Sequence, residues 1–363
     1  MKKMIFMAAF AATFGMAFTA CSNEDTGNAA QQSEIAKSAQ KAIGFTTNVD
    51  NIVPTRATAA TTATVQADGF HVWAYNGTAS VINNAEVTYA SSAWSYSPLQ
   101  YWPTNGDLLK FQAVTPYDWA DDNSATIAST SASTIITDLV IPAANASQKD
   151  LMFARQGTAA GINYSGTEDK VALEFQHALS QIVFQAKLKD TPALKSATVS
   201  ELSICKVNSK GTITFVQDLG SSTTQGITST PASTAVNANY TAGLTGSAVT
   251  NKSAYTNITA TDGALMLLPQ AITAATVAEG NKTEPSTGTY LKIKVQVLDQ
   301  NDNVLIPNTD TYYLAINDVT WLPGRKYTYN IEFTESMLTP IVFGSVTVGS
   351  WTDVTGSPNP VEF

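Results

Sequence analysis

Residues 171–188, VALEFQHALSQIVFQAKL, decide the fold class. Val171, Leu173 and Phe175 alternate with smaller or polar residues, and a period of two is typical of a β-strand with one buried face. The run from Ile182 to Leu188 opens with β-branched and aromatic residues, which favour strands. The stretch therefore predicts two β-strands.

The same pattern continues on both sides of this stretch. Ile43, Phe45, Thr47 and Val49 alternate near the start of the chain. Clusters of Asn, Asp, Gly, Ser and Thr separate the apolar runs, and short strands between such turns are typical of an all-β sandwich. Further predicted strands are Phe70–Ala74, Leu109–Ala113, Val199–Ile204, Gly211–Phe215, Leu265–Leu268, Tyr290–Leu298, Thr311–Leu314 and Tyr327–Phe333.

Other stretches indicate connections. Asp299–Asn303 predicts a turn, since Asn and Asp tolerate left-handed backbone and cap turns with their side chains. Leu219–Ala254 is rich in Thr, Ser, Gly and Ala and predicts long loops or weak edge strands. Pro192 lies near the least strand-like point, so we predict two domains, residues 43–190 and 191–363.

The N-terminus has the pattern of a secretory signal. Lys2 and Lys3 precede an apolar and small-residue run, residues 4–20, which ends at Cys21. A small residue before the first cysteine resembles the lipobox of bacterial lipoproteins, in which the thiol is acylated and becomes the mature N-terminus. We therefore predict a signal peptide at 1–20, lipidation at Cys21 and a polar tether at 21–42. The alternative is an ordinary signal peptide with an incidental cysteine.

Charge and cysteine content limit which partners the protein can have and which interactions can stabilise its fold. The predicted signal peptide carries two lysines and no acid, so its removal changes the formal net charge from −9 to −11. An acidic chain repels phosphate backbones, which argues against nucleic acid as a partner. With Cys21 lipidated, Cys205 has no cysteine to pair with, so the fold must rest on buried apolar area.

Residues that could carry chemistry are few and scattered. His71 and His177 lie in strand-like segments, where we expect them to be core or sheet-face side chains. Cys205 ends an apolar strand, where a buried inert thiol is expected. The acidic stretches 118–123 and 299–303 lack the Gly and Glu of an EF-hand loop. We therefore predict no catalytic group, no metal site and no cofactor.

A series of motifs recurs in order along nearly the whole mature chain. They are Cys21, Ile43–Phe45, Thr55–Ala57, Phe70–Tyr75, Trp94–Pro98, Tyr101–Pro103, Leu109–Ala113, Thr115–Pro116, Asp150–Ala154, Phe175–Ile182, Leu268–Gln270, Trp321–Tyr329 and Val346–Trp351. No single motif is diagnostic. In this order they resemble the fimbrillin family of Bacteroides-type type V pili, including the Mfa-like fimbrillins.

The resemblance implies a fold and a maturation step. It implies two tandem transthyretin-like β-sandwich domains and a lipidated precursor that reaches the outer membrane. In such pilins an arginine-specific protease cuts after an Arg in the loop that follows the first strand, and the matching position here is Arg56, followed by Ala57. Thr58–Thr64 contains only Ala and Thr and predicts an exposed, mobile loop. From the residues alone, a linker arginine without a processing role remains an alternative.

Cleavage at Arg56 would release residues 43–56 and, with them, the displaced-strand residues Ile43, Phe45 and Val49. The sheet would keep a hydrophobic groove beside unpaired backbone groups, and such an edge is a template for a strand of another subunit. Head-to-tail addition of this kind gives a filament. The donor candidates are C-terminal: Ile341, Phe343, Val346, Val348, Trp351, Val361 and Phe363. The alternative is that Ile341–Val354 is the last strand of the second domain.

The sequence leaves three functional hypotheses. The first is a stalk or tip subunit of a surface fimbria that supports adhesion and is assembled by protease-triggered donor-strand exchange. Its partners would be other fimbrial subunits, an arginine-specific protease, the outer membrane through lipid, and a surface glycan or protein. The second is a monomeric surface glycan-binding lipoprotein, in which Trp119 beside an acidic loop is the expected glycan contact. The third, an anchored enzyme, is disfavoured because no reactive cluster is present.

Overall fold

The computed structural model describes residues 41–49, 62–117, 125–156, 161–164, 170–218, 226–234, 236–278, 282–335 and 341–350. Within the last range, Val346 is the residue whose side chain is described. The predicted signal peptide, residues 1–20, lies outside these ranges. No helix in the described part of the chain has the length and apolar character that a membrane span requires.

Almost every element of the described residues is a strand, which confirms the predicted all-β class. The α-helix α1 spans Thr62–Asp68, and one turn of 3₁₀ helix spans Asn145–Ser147. The strands are, in chain order, β1 Gly44–Val49, β2 Phe70–Asn76, β3 Ala79–Ala90, β4 Ala93–Ser95, β5 Leu109–Thr115, β6 Thr126–Ser129, β7 Ser133–Val140, β8 Met152–Gln156, β9 Lys170–His177, β10 Ser180–Leu188, β11 Leu194–Asn208, β12 Lys210–Val216, β13 Ile227–Pro231, β14 Asn237–Thr241, β15 Thr256–Asn257, β16 Leu265–Leu267, β17 Ala271–Ile272, β18 Tyr290–Asp299, β19 Val304–Ile306, β20 Tyr312–Ala315, β21 Val319–Thr320, β22 Arg325–Phe333 and β23 Ile341–Ser350.

Alternating apolar residues build a seven-stranded sheet in the order β1-β9-β8-β5-β2-β3-β4. In β9, Val171, Leu173 and Phe175 are buried and the residues between them are exposed, as the period of two predicts. β1 and β9 pair in parallel, whereas the other neighbours in this sheet pair antiparallel. β1 is therefore an edge strand with a parallel partner.

Four further sheets are present in the described residues. Their orders are β15-β10-β22-β23, β14-β11-β18-β19, β13-β12-β7-β6 and β17-β21, with β16 also paired to β10 and β20 to β18. Four pairings in the described residues cross residue 190, because β10 pairs in parallel with β22 and antiparallel with β15 and β16, and β7 pairs antiparallel with β12. The division into domains at 43–190 and 191–363 stays a prediction.

Apolar clusters cover both faces of the seven-stranded sheet. β2 shows the division, since Phe70 and Val72 belong to one cluster while Trp73 and Tyr75 belong to the other. We call the first of these the β1 cluster, because it also contains the buried side chains of β1. A strand that packs on both faces is buried almost continuously, as β2 is.

A pair of phenylalanines joins the seven-stranded sheet to the sheet of β12. Phe153 of β8 and Phe215 of β12 are buried, and their rings stack with centroids 4.4 Å apart and planes 14° apart. Offset or near-parallel contact of this kind contributes beyond the area that the rings bury. The guanidinium of Arg155 lies over the Phe153 ring and donates a hydrogen bond of 3.0 Å to the Val216 carbonyl.

α1 and the strands after β5 differ from the sequence-based expectation. The sequence predicts a loop at Thr58–Thr64, but Thr62 begins α1, whose Val65 is buried in the β1 cluster. Gly69, the residue after α1, has φ +71°, and a Cβ there would lie 2.7 Å from the Val87 carbonyl oxygen. The sequence does not predict β6 and β7, because β6 is four residues long and the apolar residues of β7 do not alternate.

The predicted connections are found where the sequence places them. Leu219–Ala254 contains β13 and β14, which both lie at sheet edges. In the turn after β18, the Asp299 carboxylate accepts hydrogen bonds of 2.8 Å from the backbone N–H groups of Asn301 and Asn303. Hydrogen bonds from the Asn303 side chain and backbone hold the pKa of the Asp299 carboxyl below its ordinary value.

Cys205 lies in a small separate cluster with Ala275 and Tyr290, and its side chain is fully buried. Burial raises the pKa of the thiol to about 11. The thiolate is the nucleophilic form of cysteine, so this residue is poorly reactive near neutral pH. The prediction of a buried thiol is confirmed.

We predict that Phe215→Ala lowers the free energy of unfolding by about 3–5 kcal/mol, because it leaves a cavity against Phe153. Leu322→Ala is the control, since Leu322 is 50% exposed, and it should change this free energy by less than about 0.5 kcal/mol. Urea denaturation followed by tryptophan fluorescence measures both variants. A loss for Phe215→Ala no larger than that of the control would contradict the contact between these sheets.

A Cys21→Ser variant leaves Cys205 as the one thiol of the chain. We expect this thiol to resist iodoacetamide at pH 8 in the native protein and to react completely in urea. A pKa of about 11 leaves roughly one thiolate in a thousand at pH 8, and burial hinders access to it. Intact mass spectrometry measures the reaction, and rapid labelling of the native protein would show that the burial is wrong.

Candidate functional site

β1 is held by a single ladder. It pairs with β9 through six residue pairs, from Gly44 opposite Lys170 to Val49 opposite Phe175. Among the described strands, β9 is its one neighbour in the sheet. A central strand pairs with a neighbour on each side, whereas an edge strand pairs on one side. An edge strand is therefore bound through half as many backbone contacts.

Three apolar side chains fasten β1 to the sheet. Ile43, just before the strand, and Phe45 and Val49 within it are 1%, 3% and 5% exposed. All three belong to the β1 cluster. Burial of one such side chain contributes about 1.5–3 kcal/mol, so side-chain packing is the main attachment of β1.

Phe45 is the central contact of this attachment. Its ring centroid lies 5.7 Å from that of Phe70, 5.5 Å from that of Tyr96 and 6.2 Å from that of Phe111. The contacts with Phe70 and Phe111 are edge-to-face, an arrangement that aromatic rings favour. Removal of β1 would therefore leave a slot lined by aromatic rings.

Thr47 interrupts the apolar row. Its position alternates with exposed Thr46 and Asn48, so its side chain faces inward with those of Phe45 and Val49. The Thr47 hydroxyl oxygen is buried and has no hydrogen-bond partner among the described residues. A buried hydroxyl without a partner destabilises by about 1–3 kcal/mol. β1 is thus bound less tightly than an all-apolar strand in the same slot would be.

Backbone hydrogen bonds hold the segment before β1. The Ile43 N–H donates to the Gln100 carbonyl and the Trp102 N–H donates to the Lys41 carbonyl, each at 2.9 Å. The Tyr96 hydroxyl donates to the Ile43 carbonyl at 3.2 Å. These contacts hold the N-terminal end of the strand, on the side away from Arg56.

The C-terminal donor candidates divide between the described and undescribed residues. Ile341, Phe343, Val346 and Val348 lie on β23, which pairs antiparallel with β22 from Phe333 opposite Ile341 to Arg325 opposite Ser350. β23 is an edge strand of its sheet. Trp351, Val361 and Phe363 lie outside the described residues. In this monomer β23 is therefore the last strand of its own sheet.

The chain has three arginines, Arg56, Arg155 and Arg325. Arg155 lies within β8, and Arg325 is the first residue of β22. The backbone of both residues is paired with neighbouring strands. A protease binds its substrate as an extended segment, so a paired residue must first leave its sheet before it can be cut. Arg56 and Ala57 lie outside the described residues, as do Cys21 and Trp119.

A buried contact between a histidine and a carboxyl group lies at the end of β9. The His177 Nδ1 and the Asp150 Oδ2 are 2.7 Å apart, and their side chains are 5% and 3% exposed. Loss of one partner of such a pair leaves an uncompensated buried group and is strongly destabilising. The sequence indicated a core position for His177 but not this pairing, because no local spacing brings residues so distant in sequence together.

Within the described ranges, no three His, Cys, Asp or Glu side chains are grouped so that they could hold a metal ion. Cys205 is buried, and His177 is occupied by Asp150. His71 lies half-buried on β2, on the surface of the seven-stranded sheet. The arrangement supplies two edge strands, β1 and β23, each with one neighbour in its sheet among the described strands.

Comparison with known proteins agrees with this architecture. Fimbrium subunit Fim1C of Phocaeicola vulgatus is 30% identical over 101 residues, which are 24% of this chain and 26% of that relative. The match thus covers about a quarter of the relative's length. The crystal structure of a fimbrial protein from Bacteroides vulgatus has a TM-score of 0.55 at 17% identity, with 86% of this chain and 99% of that chain covered. This likeness shows a shared fold.

The family comparison covers the greater part of the sequence. Residues 55–351 match the model of the family described as fimbrillin-like, Mfa_like_1. The matched region extends from the residue before Arg56 to the residue after β23. The chain belongs to the fimbrillin-like family of fimbrial proteins.

Proposed function

We propose that this protein is a structural subunit of a surface fimbria, in which a strand from one subunit replaces β1 of the next. The observation that carries the proposal is the position of β1: an edge strand held by one ladder, which ends at Val49, shortly before Arg56. The proposed function of the protein is assembly with other fimbrial subunits into a filament, and the filament supports adhesion. The proposal includes no catalysis.

Cleavage after Arg56 acts on the attachment of β1 to the rest of the chain. Before cleavage, the strand is linked to α1, and a linked segment rebinds at an effective concentration in the millimolar range. After cleavage, non-covalent contacts alone retain it: the ladder with β9, the packing of Ile43, Phe45 and Val49, and the hydrogen bonds of residues 41 and 43 with the segment at residues 96–102. An arginine-specific protease is therefore the proposed trigger.

The vacated site would accept a strand of another subunit. Loss of β1 uncovers the β9 backbone between Lys170 and Phe175 and the rings of Phe70 and Phe111. An extended segment with apolar residues at alternate positions can restore both the ladder and the ring contacts. The same β-sandwich then stays closed in the filament.

The donor is the C-terminal part of a second subunit. β23 lies at a sheet edge and so can leave with the loss of one ladder, that with β22. The residues after Ser350 include Trp351, Val361 and Phe363 as apolar anchors. Lipidation at Cys21 would hold the precursor at the outer membrane until assembly, in a transthyretin-like two-domain form.

We expect an arginine-specific protease to cut the purified precursor once, between Arg56 and Ala57, and to produce a ladder of oligomers. Arg155 and Arg325 should stay intact because they lie in paired strands. Arg56→Lys is the matched control, since it keeps the charge and removes the site. Size-exclusion chromatography and mass spectrometry measure the products, and a cut protein that stays monomeric would contradict the trigger.

Two truncations identify the donor. A chain that ends at Ser350 keeps β23, whereas one that ends at Phe343 loses most of it. Loss of laddering in both would assign donation to the residues after Ser350. Loss in the Phe343 truncation alone would assign it to β23. Laddering that survives both would rule out a C-terminal donor, and circular dichroism checks that each truncated chain is folded.

We predict that Thr47→Val slows release of the cleaved strand, because it removes the unpartnered buried hydroxyl without a large change in shape. A gain of about 1.4 kcal/mol corresponds to a tenfold slower release. Thr46→Val is the matched control, as it makes the same change on the exposed face of β1. Fluorescence of a labelled N-terminal fragment measures the rate, and equal rates in the two variants would contradict the role of Thr47.

A further inference from the structure

A cavity of about 500 Å³ opens at one end of the seven-stranded sheet, and Phe70, which also contacts Phe45 of β1, is among its lining residues. α1, β2, β3 and the segments next to β5 and β8 supply its walls. The volume lies in the range of small-molecule sites. Its lining includes the side chains of Asp68, His71, Glu86, Tyr117 and Lys149.

Two stacked rings form one wall of the cavity. The imidazole of His71 and the phenol of Tyr117 have centroids 3.3 Å apart and planes 11° apart. Asn84 bridges them: its Nδ2 donates to the Tyr117 hydroxyl at 2.8 Å, and its Oδ1 lies 3.0 Å from the His71 Nδ1. The amide therefore fixes both rings in one orientation.

Asn84 adopts a left-handed backbone to make this bridge. Its φ is +52°, and it lies where the pairing of β2 and β3 is irregular, between Val72 opposite Ala85 and Ala74 opposite Ile82. Asn is among the non-glycine residues that adopt this conformation most readily. Irregular pairings of this kind redirect side chains and are over-represented at sheet edges and beside functional sites.

The charges of the lining restrict the chemistry of a ligand. Asp68 and Glu86 are carboxylates, which repel anions, and the ammonium group of Lys149 offsets part of their attraction for a cation. Hydroxyl groups of a ligand can bind both kinds of charged side chain, because they donate hydrogen bonds to carboxylates and accept them from an ammonium group. The aromatic rings of the wall favour a ligand with an apolar face that can pack against them. A neutral sugar combines hydroxyl groups with a face of C–H groups.

We propose that this cavity binds a neutral hexose unit of a glycan, with the sugar packed on the His71–Tyr117 stack and hydrogen-bonded to Asp68, Glu86 and Lys149. Asn84 is a positioning residue, because it holds the rings without facing the sugar itself. The cavity is present in the intact monomer, so we expect the intact monomer to bind the sugar without strand exchange.

Saturation-transfer difference NMR on the full chain tests the proposal with glucose, galactose, mannose and N-acetylglucosamine at millimolar concentration. We expect transfer to the ring C–H protons of at least one of these sugars. Tyr117→Ala should abolish it by removing one ring of the stack. Absence of transfer from all four sugars to the unmodified protein would overturn the proposal.

A pair of glycine variants separates the site from general folding. Asn84→Gly keeps the left-handed backbone available and removes the bridge, so we expect at least a tenfold loss of affinity for the sugar that binds. Asn83→Gly is the matched control at the exposed neighbouring residue and should bind as the unmodified protein does. Equal binding by Asn84→Gly and Asn83→Gly would also overturn the proposal, and thermal unfolding shows that both variants are folded.

Discussion

The ladder between β1 and β9 is the one backbone pairing that holds β1 in its sheet, and the position of this strand depends on it. It is parallel, so its two strands cannot be joined by a tight turn, and more than a hundred residues separate them in the chain. β9 must therefore be in place before β1 has a partner. A strand at the edge of a sheet can leave without changing the order of the others.

The strands that the sequence predicts best are those with one buried face. β9 and β10 alternate in sequence and in burial, so the period of two was sufficient to find them. The sequence does not predict β6 and β7 because β6 is four residues long and the apolar residues of β7 do not alternate, and it does not predict the helix at Thr62–Asp68 because seven residues are too few to show a helical period. Local sequence patterns do not show which strands pair with each other. The parallel ladders of β1 with β9 and of β10 with β22 join residues that are far apart in the sequence.

Site residues follow the same division. Ile43, Phe45 and Val49 were recognisable as an inward row because they alternate, and the structure places all three in the β1 cluster. Thr47 belonged to that row by position, but only the structure shows that its hydroxyl has no partner in the described surroundings. Asn84 gave no signal at all, since its left-handed backbone and its two ring contacts depend on an irregular pairing. Both residues depart from the local rules of a stable sheet, and both lie at the places for which a function is proposed here.

The placement of the arginines bears on the use of lysine and arginine over the whole chain. Of twenty basic residues, three are arginine, and the two in the described ranges lie in paired strands. Lysine supplies the remaining positive charge of the surface, although arginine would form the stronger ion pairs. The described loops contain no arginine, so an arginine-specific enzyme would find no recognition site in them. If such an enzyme processes the chain, the use of lysine in place of arginine confines its action and leaves the sequence of these loops free to vary.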